Sequence, residues 1–126
     1  MITKALISLG ANTLDKKERL ALTIDAIAQI AFIEAQTPIY ETAAEGSVAT
    51  LPYANALVLI ETSAEYEELR ATFKQWERNA GRTAESKAQG LIPLDIDIVT
   101  WNDHVIKEHD MEFEYMKLGM KLLNEC

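Results

Sequence analysis

The sequence is short of cysteine, of basic charge and of long apolar runs, and each shortage removes a class of protein. One cysteine in 126 residues, Cys126, allows no internal disulfide, and with two histidines and no Cys or His spacing pattern there is no zinc signature. Twelve Lys and Arg against 20 Asp and Glu leave a formal net charge of -8, so bulk electrostatics oppose binding to nucleic acid or to an anionic membrane. A small anionic ligand would need a local patch of cations or bound metal ions. No apolar run approaches the length of a membrane span, and Met1-Ile2-Thr3-Lys4 opens no leader-like segment. These absences predict a cytoplasmic protein. A hydrophobic content of 48% with 25% charged residues, at this length, predicts one domain over residues 1–126.

What is present reads as a series of short elements. Ala5-Leu6-Ile7-Ser8-Leu9 is a strand that Gly10-Ala11-Asn12 should stop. Asp15 can open a helix with Leu20, Ile24, Ile27 and Ala31 at the 3.6 period, while Lys16, Lys17, Glu18 and Asp25 face water. Residues 32–40 are rich in β-formers, and Pro38 suggests an edge or a bulge; Glu45-Gly46-Ser47 marks a turn. Residues 53–60 are apolar on both alternating faces, as a strand covered on two sides must be. Thr62-Ser63-Ala64-Glu65 offers a capping box for a helix with Tyr66, Leu69, Phe73 and Trp76 on its apolar stripe, closed by Asn79-Ala80-Gly81. A polar loop from Arg82 to Gly90 leads to a strand over residues 94–101, a turn at Asn102-Asp103 and a short partner strand at 104–106. Phe113, Met116, Met120 and Leu123 predict a closing helix that Gly119 should weaken by about 1 kcal/mol. The order is that of an α+β, ferredoxin-like βαββαβ fold with a mainly antiparallel sheet.

Two groups of residues could carry chemistry. Asp95 and Asp97 lie two apart on a strand, so their carboxylates share a face opposite Leu94, Ile96 and Ile98. Two like charges so close call for a cation, and one or two Mg²⁺ ions suit carboxylate oxygens completed by water and phosphate. A merely solvated strand face is the alternative. Tyr53 and Asn55 also share a strand face, where a ring to stack on and an amide to read an edge would suit a flat heteroaromatic ligand. A tyrosine packed at a strand end, with the asparagine serving loop backbone, is the alternative there.

Taken in order, Ala5 to Asn12, Tyr40-Glu41-Thr42, Pro52-Tyr53-Ala54-Asn55-Ala56, Ile60-Glu61-Thr62, Gly81-Arg82 and Leu94-Asp95-Ile96-Asp97-Ile98 resemble the hydroxymethyl-dihydropterin pyrophosphokinases of folate synthesis. The resemblance runs from Ala5 to about Ile106. It implies a ferredoxin-like core and transfer of pyrophosphate from ATP to the hydroxymethyl group of a reduced pterin. It further implies that Asp95 and Asp97 hold two Mg²⁺ ions bridging the ATP phosphates, and that Thr42, Tyr53 and Asn55 belong to the pterin pocket. Arg82 would act on the phosphates, and Ile98 and His109 would contact the nucleotide.

The departures are as specific. The family loop after Arg82 carries further arginines and a tryptophan, where this sequence has Ala84, Ala88, Gln89, Leu91 and Ile92, leaving Arg82 and Lys87 as the loop's cations. The family's Pro-His segment and longer C-terminal region are also missing: His109-Asp110 is followed by Glu114-Tyr115 and the sequence ends at Cys126. Three functions remain open: an active pyrophosphokinase using ATP and a reduced pterin, a non-catalytic relative that binds pterin or nucleotide, and a ferredoxin-like interaction domain. As to assembly, a monomer or a weak homodimer through the sheet edge is expected.

Overall fold

The structure is a computed structural model that describes residues 2–43 and 51–125. The expected turn at Glu45-Gly46-Ser47 lies outside the described residues. Its centre is β1 (Thr3–Ala11), buried along nearly its whole length. Helix α1 (Lys16–Ile30) leads to β2 (Phe32–Gln36) and β3 (Tyr40–Thr42), both of which pair with β4 (Tyr53–Thr62). Helix α2 (Tyr66–Asn79) and a short α3 (Ala84–Ala88) precede β5 (Asp95–Trp101) and β6 (His104–Val105), and α4 (Glu114–Asn124) follows a 3₁₀ turn at His109–Glu112. The sheet order is β2-β4-β1-β5-β6, with every pairing antiparallel. Without β3 and β6 this is the ferredoxin-like α+β arrangement that the sequence predicts.

Because side chains alternate along a strand, the sheet has two chemically different faces. Ile7, Leu9, Ala56, Val58, Ile96 and Ile98 point to one face and pack against Leu20, Ile24 and Ile27 of α1 and Leu69 and Phe73 of α2. Burying a side chain such as Phe73 contributes roughly 1.5–3 kcal/mol. On the other face a smaller cluster of Leu6, Leu57 and Val99 meets Met116 of α4. That face also carries Ser8, Gly10, Tyr53, Asn55, Asp95 and Asp97, so α4 covers only one end of it.

Several local expectations change. Strand β1 continues through Gly10 and Ala11, which still pair with Asn55 and Ala54. Helix α1 ends at Ile30, and Lys16 turns from water toward Glu41 at 3.7 Å and the carbonyl of Pro52 at 3.3 Å. The capping box at the start of α2 is formed by Glu65 and Glu68, because Thr62 is still in β4, paired with Thr3, and its hydroxyl accepts the N–H of Ala64. The polar loop folds into α3, where Thr83 and Ser86 cap each other reciprocally.

The break at Pro38 is bridged by its neighbour. Thr37 donates its N–H to the carbonyl of Leu57 and accepts the N–H of Leu57 on its hydroxyl, both at 3.0 Å. Gly119 strengthens the fold where propensity alone says it should weaken it: a Cβ there would strike the Tyr40 hydroxyl and come within 2.7 Å of Leu57 Cδ1. Only glycine lets α4 lie this close to the sheet. No described helix is long and apolar enough to cross a membrane.

Candidate functional site

The strand register assembles the site in two rows. Asn55, Gly10 and Asp95 lie side by side across β4, β1 and β5, and Leu57, Ser8 and Asp97 form the next row. The small residues Gly10 and Ser8 stand in the middle of each row. Their lack of bulk leaves a cavity of about 260 Å³, walled by Thr42, Tyr53, Asn55 and Asp95 and, from the start of α4, by Phe113 and Tyr115. The walls are mostly apolar or aromatic with a few convergent polar groups, as small-molecule sites require.

Asn55 is buried, and its amide donates to the Thr42 hydroxyl at 2.8 Å, with the Tyr40 carbonyl at 3.4 Å. Among the described residues no hydrogen bond uses its Oδ1. Burial, then the charge of Asp95, raises the pKa of the Tyr53 phenol, so it stays a neutral ring with a donor. Phe113 and Tyr115 stack with ring centroids 5.8 Å apart, and the Tyr40 hydroxyl donates to the carbonyl of Tyr115 at 2.7 Å, fixing the entry to α4 beside the cavity.

Charge is concentrated on β5. Arg82 reaches back from the end of α2 to bind Asp95 at 2.6 Å and Glu77 at 3.1 Å. Burial works against the Arg82 charge, but the hydrogen bond and charge of Asp95, followed by Glu77 and Asp97, outweigh it and raise its pKa. Asp97 moves the other way from a normal carboxylate. Burial first, then the charge and hydrogen bond of Asp95, push its pKa up to about 7. The ion pair that Asp97 itself makes is a long one, with Lys107 at 3.8 Å.

A second cavity, of about 120 Å³, opens beyond Asp97 between α2 and the outer edge of β5. Strand β6 pairs only with Thr100 and Trp101, so this edge is free of a strand partner further back. Arg70 and Lys74 of α2, Asp97, Ile98 and Lys107 line it.

The donor set tests whether Mg²⁺ fits. Asp95 and Asp97 offer hard carboxylate oxygens on one strand face, and among the described residues no third His, Cys, Asp or Glu completes a cluster with them. Two protein ligands leave the remaining positions to water and substrate phosphate, which is how Mg²⁺ is commonly held. The residues fit that ion.

The structure therefore brings Thr42, Tyr53, Asn55 and Asp95 to one cavity and Asp97 and Ile98 to the next, with Arg82 joined to Asp95. His109 lines neither cavity itself, but its ring is set edge-on at 5.3 Å to Phe113, which walls the first. The sequence reading passed over Glu77, Phe113, Tyr115, Arg70 and Lys107. Glu77 did leave a signal, as a carboxylate four residues after Phe73 on the apolar stripe of α2.

A family model described as 7,8-dihydro-6-hydroxymethylpterin-pyrophosphokinase matches residues 6–122. No curated protein matches the chain. Among solved structures it is similar to a dinuclear metal-binding peptidase of the M20 family from Bacillus subtilis, at 15% identity and a TM-score of 0.34, covering 83% of this chain and 27% of that one. The chain spans about a quarter of that protein's length, and a likeness at this level carries no argument.

Proposed function

The chain belongs to the 7,8-dihydro-6-hydroxymethylpterin-pyrophosphokinase family, and from that premise we propose that it transfers pyrophosphate from ATP to 6-hydroxymethyl-7,8-dihydropterin in folate biosynthesis. The observation that carries this reading is the position of Asp95 and Asp97, two residues apart on β5 and each lining a different cavity. A pterin in the first and a nucleotide in the second would meet over the two carboxylates.

Each group then has a role. Asn55 Oδ1 accepts from the pterin edge while Tyr53 and Phe113 offer ring faces, and Thr42 holds the Asn55 amide in place. Asp95 and Asp97 would hold two Mg²⁺ ions, whose charge would offset that of the phosphate oxygens. The hydroxymethyl oxygen bonds to the β-phosphorus, the bond from that phosphorus to the α-phosphate oxygen breaks, AMP leaves, and the hydroxyl proton is released. Arg82 positions the Asp95 carboxylate and, when a cation takes that carboxylate, remains tied to Glu77 beside the phosphate site. Ile98 gives the nucleotide cavity an apolar wall. On this reading the protein works in the cytoplasm on small-molecule substrates.

A second reading is a relative that binds pterin without turnover. Its support is α3, where Ala84 and Ala88 are exposed and uncharged and Arg82 is already engaged. Calorimetry separates the two. Binding of a non-hydrolysable ATP analogue only with Mg²⁺, followed by pterin binding to that complex, supports the enzyme; pterin binding with no Mg²⁺-dependent nucleotide binding overturns it in favour of the module.

A further inference from the structure

The loop bearing Arg82 offers little charge to a phosphate chain. Arg82 is held by Asp95 and Glu77, and Lys87 is exposed on the short α3. Positive charge is gathered on a different element. Arg70 and Lys74 are four apart on α2, which puts them on one helix face, and Lys107 stands across the second cavity from them. Asp97 is the one carboxylate among the residues lining that cavity, so three cations face one anion in a chain of net charge -8.

The cations are not used up by the fold. Among the described residues no ion pair involves Arg70. Lys107 is only 3.8 Å from Asp97, and Lys74 is 3.3 Å from Glu77 with its side chain 42% exposed. A cation taken up by Asp97 would replace Lys107 as its counter-charge and release the ammonium toward the cavity.

Resting on the pyrophosphokinase reading, we propose that Arg70, Lys74 and Lys107 grip the phosphate chain of the nucleotide and set the preference for a triphosphate. Arg70 supplies a planar fork that can bind two phosphate oxygens, and the two lysines act as point charges on either side. Ile98 and Phe73 make the floor against which the rest of the nucleotide lies. Because the three heads reach solvent, their grip weakens with salt.

Arg70→Gln, Lys74→Gln and Lys107→Gln, singly and combined, test this by titration with α,β-methylene-ATP in Mg²⁺ at several salt concentrations. Each single variant should raise Kd about five- to tenfold and the triple variant at least about a hundredfold, with a shallower salt dependence at each step. Pterin affinity and melting temperature should stay near wild type, Lys117→Gln on α4 should change nothing, and Lys74→Arg should restore most of the binding. A triple variant that binds the analogue within about twofold of wild type, with the same salt slope, overturns the grip while leaving the pyrophosphokinase reading intact. A wild-type protein that binds no Mg²⁺-analogue overturns both.

Discussion

The buried carboxylate of Glu77 accepts the backbone N–H of Ile96, the residue between the two candidate metal-binding aspartates, at 2.8 Å. The same oxygen accepts from Arg82 at 3.1 Å. Helix α2 thus takes the place of a strand partner at the open edge of β5 and fixes the segment from which Asp95 and Asp97 project. Glu77→Ala leaves a buried N–H unpaired and should cost about 1–3 kcal/mol in urea unfolding. Glu77→Gln keeps an acceptor and should cost less. Equal stability of the alanine variant and wild type would contradict this account of the edge.

Gly119 gives a test in which two physical effects have opposite signs. Helix propensity says that Gly119→Ala should stabilise α4 by about 1 kcal/mol. The collision with Tyr40 and Leu57 says that it should destabilise, and overpacking of a tight contact typically costs about 1–3 kcal/mol. The second effect should win, with a lower melting temperature and weaker pterin binding as Phe113 and Tyr115 shift. A stabilised variant would show that α4 is not held against β4 as described.

Thr37→Val tests the join between β2 and β3. Valine keeps the shape but removes the oxygen that accepts the Leu57 N–H, leaving a buried donor unpaired, so a loss of about 1–3 kcal/mol is expected. Thr37→Ser keeps the oxygen and should recover most of it. Serine and valine variants of equal stability would contradict the bridging role.

Asp97 predicts a pH dependence with a definite sign. Its folded pKa of about 7 lies above the ordinary value of 3.8, so the folded protein retains a proton that the unfolded chain has lost between those values. The stability this contributes is complete below the unfolded value and is lost as pH rises through about 7. In metal-free buffer, Asp97→Asn should therefore flatten part of the decline in melting temperature from about pH 5 to about pH 8. Mg²⁺ should stabilise wild type increasingly over the same range. A variant with the wild-type slope would contradict the buried pair.

The sequence made the sheet and its two faces legible because alternation in residues 53–60 and 94–101 and the 3.6 period of α1 and α2 are independent signals that agree. It also placed Tyr53, Asn55, Asp95 and Asp97 on strand faces correctly, since a period of two needs no tertiary information. Where it erred, a local pattern was overruled by a distant partner. Thr62 resembles an N-cap but stays in β4 through Thr3, and Gly119 resembles a weak helix position but meets Tyr40 about eighty residues earlier. Phe113 and Tyr115 reach the cavity through that same long-range contact, which no local pattern encodes. That Arg82 folds back onto Asp95 depends on the turn at Gly81, whose φ of 101° reverses the chain at the end of α2.

The central claim is diphosphoryl transfer centred on Asp95 and Asp97, and release of AMP from ATP is its most direct measure. With Mg²⁺ and 6-hydroxymethyl-7,8-dihydropterin, the wild-type protein should form AMP in step with pterin pyrophosphate, and Asp95→Asn with Asp97→Asn should abolish both while the fold persists. AMP formation no greater than in that double variant would contradict the claim.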